Sequence, residues 1–274
     1  NMSNKKMAIM YDFDKTLSPK DMQEFGYIES IGYESPKDFW KEVSINSMEN
    51  QMDPMASYMY WMIQKSKHLT KEYLQKCGEE IDLFPGVETW FARINAYAKE
   101  RGIEVEHYII SCGLQEMIEG TSIADEFKKI YGCRFHYNEK GHADWPARIV
   151  NYTTKTQYLF RINKGVLDES NDVDLNKATS DDEKYVSFDH MIYIGDGFTD
   201  VPCMKVVSQF DGYSIAIYQN EKTKVKYAEP LLKDKRATFI AFADYSENSK
   251  VDQIVKGIID KVEINIQLKQ LKGD

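Results

Sequence analysis

The chain has 274 residues, 42% of them hydrophobic and 29% charged, with 35 Lys and Arg against 44 Asp and Glu. A net charge of −9 speaks against nucleic acid as a partner, because a polyanion is held by basic surface. No stretch approaches the ~20 consecutive apolar residues that a membrane helix needs, and the length allows one good core plus a smaller satellite domain.

Met7-Ala8-Ile9-Met10-Tyr11 is an uninterrupted apolar run, the pattern of a buried parallel strand, and Asp12-Phe13-Asp14-Lys15-Thr16 follows it directly. Between Leu17 and Phe84 strand patterns vanish and helical patterns rich in Met and aromatics take over. Asp53-Pro54 marks a helix start, with Asp as N-cap and Pro in first position. Met55, Met59 and Met62 extend the spacing of Ile45, Met48 and Met52, a stripe expected to be core. Pro85-Gly86 marks the return to the main domain, and a helix over 89–101 is expected to stop at Gly102. Val105–Ile110 is a second strand, ending at Ser111. A hairpin is expected from Phe135–Tyr137 and Ala147–Val150, joined through Asn138–His142.

Lys155 opens a helix whose apolar positions 158, 159 and 162 face the core, while Lys164 sits at the helix end beside Gly165, where a lysine complements the helix dipole. Residues 168–189 hold eight acids and two lysines, a local balance of −6, and read as a solvated insertion. Met191–Ile194 is a third strand, followed by Gly195-Asp196-Gly197-Phe198-Thr199-Asp200. Further strands are expected at 213–218 and 237–242, and a terminal amphipathic helix over 251–268. The result is an α/β chain: a Rossmann-like three-layer α/β/α core with a parallel sheet from 1–17 and 85–274, and an inserted α-helical cap domain over 18–84.

In such sheets ligands bind at the carboxyl ends of the strands, so Asp12, Ser111 and Asp196 are expected to converge. Asp12 offers a carboxylate nucleophile for phosphoryl transfer, and Asp14 a general acid that later activates water. Like charges about 4 Å apart repel by roughly 4 kcal/mol at an effective dielectric of about 20, so Asp12, Asp196 and Asp200 call for a cation. All-oxygen ligands suit Mg²⁺, and the five histidines show no metal-ligand spacing. Lys155 and Ser111 can hold phosphoryl oxygens.

These four stretches, in this order, resemble the haloacid dehalogenase-like (HAD) superfamily, in the branch containing phosphoserine phosphatase. The resemblance spans nearly the whole chain. It implies Asp12 as nucleophile, Asp14 as acid/base with its carbonyl on the metal, and Asp196 as a Mg²⁺ ligand with Asp200 as ligand or support. It also implies that Thr16, Ser111, Gly113 and Lys155 bind the phosphate. The second carboxylate, Asp14, favours phosphomonoester hydrolysis over dehalogenation. The expected activity is that of a Mg²⁺-dependent phosphatase acting on a small phosphorylated metabolite.

In that family a helical cap selects substrate. Residues 1–92 contain no arginine, so the cap lacks a guanidinium fork for a substrate carboxylate, and phosphoserine itself becomes doubtful. Asp21 stands where phosphoserine phosphatases carry a glutamate that meets the substrate amine, with Glu24 one turn on. Together with Trp40, Tyr58, Tyr60 and Trp61 these acids could receive an amine by charge and cation–π contact, although solvated acids and core aromatics are the plainer reading. Two rivals remain: a phosphomutase of the same fold, and a nucleotide-binding or silent regulatory module. For the latter, Asp200 stands where the third glycine of a dinucleotide loop belongs. Cysteines 77, 112, 133 and 203 lack metal or redox spacing and, with no signal-peptide pattern at the start, point to a cytoplasmic protein.

Overall fold

The computed structural model describes residues 5–180 and 183–273. Its centre is β1 (Lys6–Tyr11), buried along all but its first residue, as an apolar run without alternation requires. Six further strands complete one sheet: β2 (Glu104–Leu114), β3 (Lys129–Tyr137), β4 (Ala143–Arg148), β5 (Met191–Gly195), β6 (Tyr213–Tyr218) and β7 (Phe239–Phe242). Their order is β4-β3-β2-β1-β5-β6-β7. Every pairing is parallel except β3 with β4. Helices flank this sheet, among them Val87–Lys99, Lys155–Lys164, Val201–Gln209 and Lys250–Gln270. Among the described residues no helix is long and apolar enough to cross a membrane.

The hairpin differs in its return strand. β4 starts at Ala143, and Phe135 pairs with Pro146 and Tyr137 with Ala143. The turn closes at once after His142, where Asn138 donates its amide to the His142 carbonyl at 2.8 Å. Pro146 is tolerated because β4 is an edge strand. β3 also begins well before Phe135, running parallel to β2 from Lys129.

Between β1 and the helix Val87–Lys99 lie the helices Pro36–Asn50, Pro54–Lys65 and Lys71–Gly78, and this segment contributes no strand to the sheet. Asp53 caps the second of them, its Oδ1 accepting from the Met55 and Ala56 amides at 2.8 and 3.1 Å. The methionine stripe is split. Met59 and Met62 are buried, whereas Met48 is 72% exposed, because the chain reverses through Gln51 in the left-handed region, with φ 48°. The segment leaves and re-enters the core side by side: Phe84 donates its amide to the Leu17 carbonyl at 2.9 Å, and the Ser18 hydroxyl donates to the Asp82 carbonyl at 2.6 Å.

Candidate active site

Because β1 lies between β2 and β5, the polar residues that end these strands meet. Asp12 continues β1, its amide donating to the Ile194 carbonyl at 2.9 Å, so its carboxylate stands beside the loop that follows β5. It is 6% exposed. Oδ1 accepts the Phe13 amide at 2.7 Å, and Oδ2 lies 3.5 Å from Lys155 Nζ. Lys155, wholly buried at the start of its helix, bonds Asp200 Oδ1 at 2.9 Å. Burial alone would lower the lysine's pKa, but Asp12 and Asp200 together hold it above its ordinary value, so it stays charged. Lys164 instead donates to the Leu175 and Lys177 carbonyls at 2.5 and 2.7 Å, tying down the acidic segment. Arg161 does the same through the Asp168, Glu169 and Asn171 carbonyls. Asp181 and Asp182 of that segment lie outside the described residues.

Asp200 spends both oxygens. Oδ1 accepts from Lys155 and, at 2.5 Å, from the Tyr193 hydroxyl, and Oδ2 accepts the Asp196 and Gly197 amides at 3.0 and 3.2 Å. Four donors fill a carboxylate's lone-pair positions. Asp200 thereby holds the loop that presents Asp196. Thr16 differs from expectation. It is fully buried, is absent from the cavity wall, and donates its hydroxyl to Asp196 Oδ1 at 3.1 Å, so that hydroxyl orients a carboxylate instead of reaching toward phosphate.

One oxygen from each of Asp12, Asp196 and Asp200 lies within 4.8 Å of the others. Burial first, then Asp200, pushes the Asp12 carboxyl up to about 7 against the pull of Lys155. Burial, Asp21 and Asp12 raise Asp14 well above the ordinary carboxylate range, and burial, Asp12 and Asp200 do the same to Asp196. An all-oxygen donor set with this surplus of negative charge fits a hard divalent cation such as Mg²⁺, which would bring the Asp12 and Asp196 carboxyls back to their ionised form. Asp14 is anchored on its far side, Oδ1 accepting the Met22 amide at 2.9 Å.

Ser111 lies inside β2, where the register with β3 shifts between Ile110 and Leu114. Such a bulge re-aims side chains beside active sites. The Gly113 amide donates to Ser111 Oγ at 2.9 Å. A Cβ on Gly113 would displace the flexible tip of Met22 and come within 3.2 Å of Ser111 Oγ.

Asp12, Asp14, Ser111, Gly113 and Asp196 share a cavity of 770 Å³. On its helical side stand Asp21, Gln23, Trp40, Met55 and Tyr58. Glu24 does not line it, and neither do the other two aromatics of the expected set: Tyr60 is 44% exposed, and Trp61 Nε1 donates to the Tyr33 hydroxyl at 2.9 Å and to Glu42 at 3.1 Å. Met55 gives the methionine stripe one residue on the ligand side. The opposite wall, overlooked in the sequence, comes from 217–227, including Lys222, Lys226 and Tyr227. Tyr227 packs edge-on against Phe198 at 5.0 Å. The run Lys222-Thr223-Lys224-Val225-Lys226-Tyr227 was the available signal, since β6 beside β5 brings whatever follows it to the same sheet edge.

The family description that matches this sequence, over residues 9–205, is haloacid dehalogenase-like hydrolase. The chain belongs to the HAD hydrolase family. A relative in Borreliella burgdorferi, an uncharacterized protein, is 24% identical over 276 residues, spanning 89% of this HAD chain and 93% of its own length. Among solved structures, a probable phosphoserine phosphatase from Vibrio cholerae superposes with a TM-score of 0.59 at 15% identity, over 97% of this chain and 68% of that one. A phospho-aspartyl intermediate analogue of phosphoserine phosphatase superposes at 0.52 and 17% identity, over 92% and 99%. At such identities the likeness is one of HAD fold.

Proposed function

We propose that this HAD hydrolase is a Mg²⁺-dependent phosphatase of a small phosphomonoester, working through an aspartyl phosphate on Asp12 in a cytoplasmic setting, with residues 18–84 as its cap. The observation that carries the reading is the unequal environment of two carboxyls on one cavity. Asp12 faces the permanent charge of Lys155 at 3.5 Å, whereas burial and the acidic neighbours Asp21, Asp12 and Asp196 raise Asp14 well above the ordinary carboxylate range and favour its protonated form. Paired carboxyls pushed apart in this way divide into nucleophile and acid.

In this mechanism the Asp12 carboxylate attacks phosphorus in line, and Asp14 passes its proton to the departing alcohol oxygen. Asp14, now ionised, takes a proton from the water that attacks the acyl phosphate, releasing phosphate and restoring Asp12. Ser111 and the backbone near Gly113 hold the phosphoryl oxygens throughout, and the Lys155 charge, 3.5 Å from Asp12 Oδ2, offsets the negative charge from behind the nucleophile. Asp12, Asp196 and the Asp14 carbonyl would hold Mg²⁺, which supplies the positive charge that lets a carboxylate approach a phosphate dianion. Four free cysteines support a reducing compartment.

The test is phosphate release from a panel of phosphorylated metabolites, with Mg²⁺ and with chelator, using Asp12→Asn as the blank. Metal-dependent release that vanishes in the variant is expected. Equal release from variant and parent would sink the reading.

A further inference from the structure

The wall at 217–227 is held in place at three points. Gln219 Nε2 donates to the Pro19 carbonyl at 3.1 Å. Asn220 Oδ1 accepts the Thr223 amide at 2.9 Å, while Thr223 Oγ1 accepts the Asn220 amide at 3.2 Å. Tyr227 packs against Phe198, two residues beyond Asp196. Between these points the chain opens into a π-helical turn over Lys224–Ala228, where the Glu229 amide reaches back to the Lys224 carbonyl. Such turns are rare and gather at functional sites. The result is that Lys222, Thr223, Lys226 and Tyr227 line the cavity, whereas Lys224 and Val225 between them do not.

Lys222 and Lys226 are both exposed on this wall, and their charge has no counterpart in the protein. The other charged residues on the cavity are Asp12, Asp14, Asp21, Asp196 and Lys15. Lys15 is answered by them: Asp21 above all holds its pKa above the ordinary value. Neither Lys222 nor Lys226 forms an ion pair among the described residues, in a chain of net charge −9. Glu221 and Glu229, their nearest acids in sequence, do not line the cavity. Like charges four residues apart on a helical face repel, so local stability gives no reason for the pair. No Lys or Arg of residues 18–84 lines the cavity. An anion at the far end of a bound substrate therefore finds its charge partner on this wall.

We propose that Lys222 and Lys226 bind a second anionic group on the alcohol half of the substrate. The inference rests on the phosphatase reading of this site and narrows it. The substrate class is a phosphomonoester whose alcohol carries a carboxylate or a further phosphate, in preference to an ester with a neutral alcohol. Two ammonium groups held side by side suit either anion. The wall that reads the substrate then belongs to the core and follows β6, while the helices of 18–84 supply the apolar and aromatic face opposite it.

The experiment measures kcat and KM on phosphate esters of short and longer alkyl chains that end in a hydroxyl, a carboxylate or a second phosphate. The proteins are the parent, Lys222→Gln, Lys226→Gln, the double variant, and Lys224→Gln as the control for net charge. The parent is expected to favour an anionic end over the hydroxyl by about tenfold in kcat/KM, chiefly through KM. Each single variant should cut that preference by about threefold, the scale of an exposed charge pair, and the double variant should abolish it, while Lys224→Gln keeps it. The end that gives the larger preference tells carboxylate from phosphate. Turnover by the parent without a preference, a preference that survives the double variant, or an equal loss in Lys224→Gln overturns the inference. Failure of the phosphatase reading looks different, because then no ester is cleaved. In that case calorimetric binding of the same esters to Asp12→Asn, with and without the two lysines, decides: tighter binding of an anionic end that is lost with the lysines upholds the site, and equal binding overturns it.

Discussion

Lys155 and Asp200 form an ion pair enclosed on all sides, Nζ to Oδ1 at 2.9 Å, with both side chains 0% exposed. It joins the first turn of one helix to the loop after β5, and the same Asp200 holds the Asp196 and Gly197 amides. A buried charge is tolerable only while its partner stands. We expect Lys155→Met or Asp200→Leu alone to destabilise the fold by roughly 3–5 kcal/mol and to abolish turnover. The double variant should lose clearly less stability than the two losses added. Urea midpoints around this cycle give the coupling, and strict additivity would refute it.

Thr16→Val separates two roles for one hydroxyl. With its bond to Asp196 Oδ1 removed, the carboxylate is free to rotate, and the Mg²⁺ concentration for half-maximal rate should rise by about tenfold or more. KM for the ester should stay within about twofold. A variant that shifts KM and leaves the metal dependence alone would return Thr16 to phosphate binding.

His107 predicts an acid weakness away from the active site. Trp90 Nε1 donates to the Tyr11 hydroxyl at 2.9 Å, leaving that O–H to donate to His107 Nδ1, also at 2.9 Å, while Nε2 faces Asn95 Oδ1 at 2.7 Å. The ring is thus neutral, and burial pushes its pKa down to about 3. Between about 6.5 and 3 the unfolded chain holds one proton more than the folded chain, so His107's contribution is complete above about pH 6.5 and falls by ~1.4 kcal/mol per pH unit below it. Taking the protein from pH 7.5 to 5 should remove about 2 kcal/mol through this residue. His107→Gln should have a pH slope shallower by that amount, and parallel slopes would contradict it.

Asp12 has the opposite sign. Its carboxyl is raised from 3.8 to about 7, so without metal the folded chain holds the extra proton between these values, and stability is lost as pH rises toward 7. Protons and Mg²⁺ compete for the same oxygens. Mg²⁺ should therefore raise the melting temperature markedly at pH 8 and little at pH 5.5. Equal shifts at both would place the cation elsewhere.

The acidic half of this site was legible because its groups adjoin the ends of regular elements, whereas Ser111, expected to end its strand, lies inside β2. Asp12 and Asp196 close buried strands, and Lys155 opens a helix with a clear apolar stripe. Residues whose use depends on what packs beside them were less legible. Thr16 looks like a phosphate ligand by position, and only its closeness to a loop some 180 residues away reveals that Asp196 claims it. Tyr60 shares a helix with Tyr58 but stands about 200° around its axis and faces out, and Trp61, on nearly the same face as Tyr58, has its indole N–H taken by Tyr33 and Glu42. Lys222 and Lys226 sit in a polar run that resembles any solvated helix until β6 is placed next to β5. The hairpin is legible from its turn residues, but its return strand runs through Pro146, which is admitted only because β4 is an edge strand.

The helix Lys71–Gly78 meets the helix Gln115–Glu119 almost backbone to backbone: a Cβ on Gly78 would strike the Met117 carbonyl, and one on Gly120 the Gln75 carbonyl. Contact this close leaves no side chains to slide past one another. Ala143 adds a bond from its amide to the Leu69 carbonyl at 2.7 Å. The third helix is thus set on the core through its backbone, whereas the pair Pro36–Asn50 and Pro54–Lys65, which carries Trp40, Met55 and Tyr58 to the cavity, is tied to it by side chains, Tyr58 donating to the Cys112 carbonyl at 2.8 Å and Asn151 to Asp53 at 3.0 Å.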